Sequence, residues 1–138
     1  MSDERIDLLR RFHEIWGAGD LEGALECVHP EIDFDWTESM SPFKAVFHGH
    51  DGMRRFWNEM RDAFEEFKPE IDELVDGGDE GIVTRNTIHS RSRSGGIALE
   101  AHGAMHWLFA DGKIVRAKMF QTVDEALEAL RDPKPQSI

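Results

Sequence analysis

One cysteine, Cys27, is the only thiol in this chain of 138 residues. It has no partner for an internal disulfide and no second thiol to begin a zinc cluster, so it reads as a small buried hydrophobe in a helix. No apolar run approaches the length that crosses a bilayer. The opening "MSDERIDLLRRF" lacks the basic-then-apolar order of a secretory leader, and a cytoplasmic protein is expected. Basic residues are scarce, 16 Lys and Arg against 28 Asp and Glu, for a formal charge of −12. That field repels phosphate backbones and anionic lipid, so neither nucleic acid nor membrane is expected as a partner.

What remains is the composition of an ordinary globular protein, 40% hydrophobic and 32% charged, at a length that fits one domain. No internal repeat or interdomain linker is visible. Residues 1–130 are expected to form a single domain and 131–138, "RDPKPQSI", a frayed tail. Ile6, Leu9, Phe12, His13 and Trp16 recur at helical spacing, with Ser2 as the cap. "WGAGD" breaks that helix, and Asp20 can cap a shorter one. "HPEIDFDW" alternates Ile32, Phe34 and Trp36 with Asp33 and Asp35, as a strand does. After a loop and a short strand at "KAVFH", the positions Met53, Phe56, Trp57, Met60, Phe64 and Phe67 share one helical face. The period then changes. "KPEIDELVD", "GIVTRNTIHSRSRS", "IALEAHGAMHWLF" and "KIVRAKMFQ" read as strands joined by glycine turns, with "RSRS" the solvated arm of a hairpin tip. "TVDEALEAL" closes as a helix, with Thr122 and Glu125 spaced as a capping box. Helices on one face of a curved antiparallel or mixed sheet make an α+β fold, and the concave face leaves a conical hollow.

Four stretches, "HPEIDFDW", "FHGHDGMRRFW", "GGDEGIVTRNTI" and "DGKIVRAKMF…EALEAL", resemble in order and spacing the SnoaL-like group of the nuclear transport factor 2-like superfamily. The resemblance implies a cone-shaped α+β barrel wrapped around three N-terminal helices, a short C-terminal helix, a cavity, and often a homodimer. That superfamily includes polyketide cyclases, ketosteroid isomerase, scytalone dehydratase and limonene epoxide hydrolase. Fold therefore says little about reaction. Asp35 lies where the resemblance places the general-base aspartate of the isomerase branch. The chain has no tyrosine, so the tyrosine-dependent oxyanion hole of that branch is absent, as are the tyrosines of the other two enzymes. The partner acid's position falls near Met105.

Which residues face the hollow follows from the turns. "FADGK" suits a three-residue loop with a bulge at Gly112, pairing Phe109 with Lys113 and Trp107 with Val115. That register turns Val115, Ala117 and Met119 inward beside Met105, Trp107 and Phe109, together with Thr84, Asn86, Ile88 and Gln121. It sends Arg85, His89, Glu100, His102 and His106 outward. "HGAMH" lies in a strand without the glutamate of a zinc-protease helix, and "HGH" lacks a third ligand, so no metal and no cofactor are expected. In "HGHDG" Gly49 turns the chain and Asp51 is expected to cap the next helix.

The chemistry read from these residues centres on Asp35 and His13 as acid–base candidates. Alternation turns Asp35 outward, whereas a bulge in a short edge strand turns it in, and both orientations stand. Trp16, Trp57, Met60, Thr84, Asn86, Met105, Trp107, Met119 and Gln121 are the expected ligand-binding wall. Two functions of different class fit. One is binding of a small apolar carbonyl compound with cofactor-independent isomerase, cyclase or hydratase chemistry. The other is a non-catalytic ligand-binding or dimeric module, its dimer built through a convex sheet face bearing Leu108, Ile114 and Phe120.

Overall fold

The computed structural model describes residues 2–38 and 45–131. The expected tail beyond Arg131 and the Ser2 side chain lie outside what is described. Helix α1 (Ser2–Gly17) buries Leu9, Phe12, His13 and Trp16. A left-handed Gly19 ends it, and the Asp20 carboxylate accepts the Gly23 amide at 3.0 Å to start α2 (Leu21–Leu25). Strand β1 (Val28–Asp35) pairs antiparallel with the short β2 (Val46–His48), Phe34 opposite Phe47. Helix α3 (Gly49–Ala63) follows at once. Gly49 has φ +72°, and a Cβ there would sit 3.2 Å from the Pro30 carbonyl, so the turn needs glycine. The helix starts three residues earlier than expected. His48 holds the cap position without a side-chain bond, and Asp51 instead receives the Arg54 guanidinium at 2.8 Å.

The inward face of α3 carries Met53, Phe56 and Met60. It was expected to run on through Phe64 and Phe67, but the backbone turns extended at Phe64 and begins β3 (Phe64–Asp76). Residues three apart on a regular strand face opposite sides. Here a register shift between Phe64 and Glu66 brings both rings to one side, their centroids 5.7 Å apart. A single 3-10 turn (Gly78–Glu80) leads into β4 (Ile82–Ser92), then β5 (Ala98–Ala110), β6 (Lys113–Phe120) and helix α4 (Val123–Arg131). The sheet is curved and unclosed, in the order β2-β1-β6-β5-β4-β3, with β1 and β6 parallel and all other neighbours antiparallel. No helix among the described residues is long and apolar enough to cross a membrane.

The β5–β6 hairpin corrects the expected register. Its loop is the two residues Asp111 and Gly112, both left-handed at φ 56° and 73°, which match the strand twist. Phe109 therefore pairs with Ile114, not with Lys113. The extra residue sits further along at Val115, where the pairing shifts before Leu108 meets Arg116 and Trp107 meets Ala117. Ala117 and Met119 still face inward, but Ile114 is fully buried and Val115 is only half-buried.

Two apolar layers result. The larger, between the sheet's inner face and α1–α3, is rich in aromatic rings. The smaller lies on the outer face, where Ala126 of α4 packs with Val83 and Ala104, flanked by Phe120, Val123 and Leu127. Of the three residues expected on a convex dimer patch, Ile114 instead belongs to the inner core, while Phe120 lies half-buried beside α4. His106 does face outward, yet it is buried, its Nε2 2.7 Å from the Glu80 carbonyl.

Candidate ligand-binding site

The hollow is divided in two. Its inner chamber, of about 20 Å³, is lined by aromatic and apolar side chains together with His13 and Asn86. That is room for one water. Its outer cleft, of about 160 Å³, lies between the end of α1, the last turns of α3 and the start of β3. Trp16 and Phe67 line both chambers and form the wall between them.

Inside, one hydrogen-bond chain fixes the polar groups of Trp107, Thr84, Asn86 and His13 in turn. The Trp107 indole N–H can only donate, and it donates to Thr84 Oγ1 at 2.9 Å. The Thr84 hydroxyl must then spend its proton on Asn86 Oδ1, at 2.6 Å. This turns the Asn86 amide nitrogen toward the Glu70 carbonyl, 3.2 Å away, and His13 Nε2, 3.4 Å away. His13 Nε2 is therefore the accepting nitrogen, and Nδ1–H donates to the Leu9 carbonyl at 2.9 Å. A proton on Nε2 would face another donor. Burial holds the His13 pKa down at about 4, against the pull of the Leu9 carbonyl and with a smaller push from Arg10. All five donors of the chain are committed, so none of them is left to stabilise an oxyanion.

Asp35 is not part of this site. It points to the outer face, at the register position opposite Lys118, and lines neither chamber. Burial favours its neutral form. The Thr37 hydroxyl at 2.6 Å, the Thr37 amide at 2.9 Å and the nearby Lys118 and Arg116 outweigh that, and its pKa is lowered. A hydrogen-bonded carboxylate of that kind is a weak base. The alternation of β1 decided its orientation, and the bulge that would have turned it inward is absent at Phe34 and Asp35, which pair in step with Ala117 and Lys118.

Of the other expected residues, His13, Trp16, Asn86, Met105 and Trp107 line the inner chamber, while Trp16, Trp57 and Met60 line the outer cleft. Thr84 stands behind Asn86 as its anchor. Met119 is buried but lies across Gly103, where a Cβ would come within 2.7 Å of its methyl. Gln121 is exposed, because the chain leaves the sheet after Phe120, and its amide reaches the Glu38 carbonyl at 3.4 Å instead. The sequence reading missed Phe64, Phe67, Arg61, Lys68 and Arg93 of the cleft. The two phenylalanines had been assigned to a helix, and Arg93 to a solvated hairpin tip.

The SnoaL-like domain family matches residues 9–117. No curated protein matches the chain significantly. Several solved structures share the fold. An NTF2-like protein of unknown function from Burkholderia pseudomallei is 21% identical, with a TM-score of 0.76 over 94% of this chain and 98% of that one. TerC, co-crystallised with polyporic acid, is 20% identical, with a TM-score of 0.77 over 94% and 99%. A protein from Jannaschia sp. CCS1 assigned as a SnoaL-like polyketide cyclase is 15% identical, with a TM-score of 0.71 over 96% and 94%. On the family match across most of its length, the chain belongs to the SnoaL-like domain family.

Proposed function

We propose that this protein binds a small, flat, predominantly apolar organic molecule in the outer cleft, and that it does so without proton-transfer chemistry. One observation carries the reading: a ring-sized cleft of about 160 Å³ opens between Trp16, Trp57, Met60, Phe64 and Phe67, while the chamber behind it admits only a water. Trp16 and Trp57 meet edge to face at 4.9 Å, which leaves ring surface for an aromatic guest. Against catalysis stand the committed donors of the inner chain, the outward Asp35 and a His13 whose low pKa makes it a feeble base at neutral pH. The family's polyketide cyclases and the polyporic acid held by TerC are consistent with a cyclic organic guest.

The test is calorimetric titration with 1-naphthalenemethanol. Its twelve heavy atoms, at roughly 0.4 kcal/mol each, give a Kd of about 300 μM. Trp57 is only half-buried, so Trp57→Ala should leave the fold intact and weaken binding by at least about tenfold. Absence of saturable binding, or a Kd indifferent to Trp57→Ala, would sink the proposal.

A further inference from the structure

We infer that the cleft takes an organic anion: an aromatic ring laid on Trp16 and Trp57, carrying a carboxylate or a group of similar shape and charge that meets Arg93, Arg61 and Lys68. This deepens the cleft reading above and rests on it. The first support is an imbalance of charge. Carboxylates outnumber cations 28 to 16 in the sequence, and half of the arginines with described side chains use them. Arg5, Arg54, Arg55, Arg85 and Arg91 each hold a carboxylate within 4.0 Å. Arg61, Lys68 and Arg93 hold none among the described residues, although all three stand in the wall of one cleft. Glu65 and Glu66 share that wall, but they lean toward Arg91, at 4.0 and 3.8 Å, and leave the three cations unneutralised. In a chain of this net charge, three unpaired cations around aromatic rings constitute a local reversal of sign.

The second support is how Arg93 is held. Its Nε–H donates to the Arg61 carbonyl, and its backbone amide donates to the Ala63 carbonyl at 3.2 Å. Both acceptors belong to the last turn of α3, whose terminal carbonyls lack helical partners. The guanidinium is thus tethered through Nε, and neither terminal nitrogen has a partner among the described residues. A fork fixed at its stem loses less entropy on closing over a carboxylate than a free side chain does. Arg61 lies over the Trp57 ring, 6.0 Å from its centroid, so one cation already stacks on the surface that the guest would share. The rim is exposed, and the electrostatic gain is accordingly modest and screened by salt.

The experiment compares 1-naphthoate with its uncharged counterpart 1-naphthalenemethanol by calorimetry at pH 7.5, in about 25 mM and about 500 mM salt, across which the Debye length falls severalfold. At low salt 1-naphthoate should bind about tenfold tighter, and most of that advantage should vanish at high salt. Arg93→Gln should cost 1-naphthoate about fivefold while leaving 1-naphthalenemethanol within about twofold, and Arg61→Gln and Lys68→Gln should act in the same sense. Arg116→Gln, on the outer face, should change neither. Equal affinity for the two probes overturns the anion and leaves the apolar cleft standing. A preference for 1-naphthoate that survives all three cleft substitutions overturns the assignment of the anion to these residues. If neither probe saturates, the cleft reading falls and this inference with it.

Discussion

The inner chamber and the outer cleft share Trp16 and Phe67 yet are built on opposite terms. In the chamber every donor of the chain from Trp107 to His13 has an acceptor, the rings meet at centroid distances near 5 to 6 Å, and the residual space is that of one water. In the cleft the Trp57, Phe64 and Phe67 rings are half-buried and three cations lack counterions among the described residues. A satisfied polar chain in a dry interior rigidifies and specifies the core. Unsatisfied charge at an open apolar surface is the condition for recognition. In this fold the polar residues deepest in the cone therefore serve its stability, and the capacity to bind lies at its mouth.

Breaking the inner chain should produce the largest effect. Asn86→Leu keeps volume but strips the Thr84 hydroxyl, the Glu70 carbonyl and His13 Nε2 of their partner, and should cost about 3 kcal/mol in urea denaturation. Binding of 1-naphthalenemethanol to the remaining folded protein should change by less than about twofold. A stability loss under about 1 kcal/mol would show that the chain is not the rigid element described.

Acid probes the same chain more gently. The His13 pKa is about 4 in the fold against 6.5 for the free side chain. Below pH 6.5 the unfolded chain takes up a proton that the folded one refuses, so stability is full above that pH and falls toward pH 4. Between pH 7.5 and 4.5 the loss should be roughly 2 kcal/mol. His106, whose pKa burial also lowers, adds a loss of the same sign. The difference between wild type and His13→Gln in denaturant midpoint across that range isolates His13. Parallel pH profiles for the two proteins would contradict the assigned tautomer.

The smallest change belongs to the cleft. Lys68→Ala removes an exposed cation with no ion-pair partner among the described residues, and should alter stability by less than about 0.5 kcal/mol. A larger loss would make Lys68 part of the scaffold and blur the contrast between chamber and cleft.

Much of this was legible in the sequence. Period-two patterning places Thr84 and Asn86 inside, because one buried sheet face tolerates only one register. Ala117 and Met119 were placed correctly for a partly wrong reason: the loop and the bulge each shift the pairing, and parity is preserved when an extra residue moves from one to the other. Ile114 and Val115, lying between the two sites, were exchanged. Phe64 and Phe67 fit a helical period as well as a bulged strand, and only the tertiary pairing with β4 decides between them. Asp35 could be read either way in advance only while β1 was taken for an edge strand, whereas it lies between β2 and β6. Arg93 was beyond reach of any local pattern. Its role depends on the last carbonyls of α3, thirty or so residues away in the chain.

The sheet order has a consequence for how the molecule is made. The last described strand, β6, is the one that joins β1 to β5. A nascent chain that stops short of Lys113 holds two incomplete pieces, each ending in an unpaired edge where the missing strand belongs. Contacts between β1 and β6 are separated by more than eighty residues, so closing the cone must await β6 and is slow by its topology. Until then the aromatic interior has no second wall.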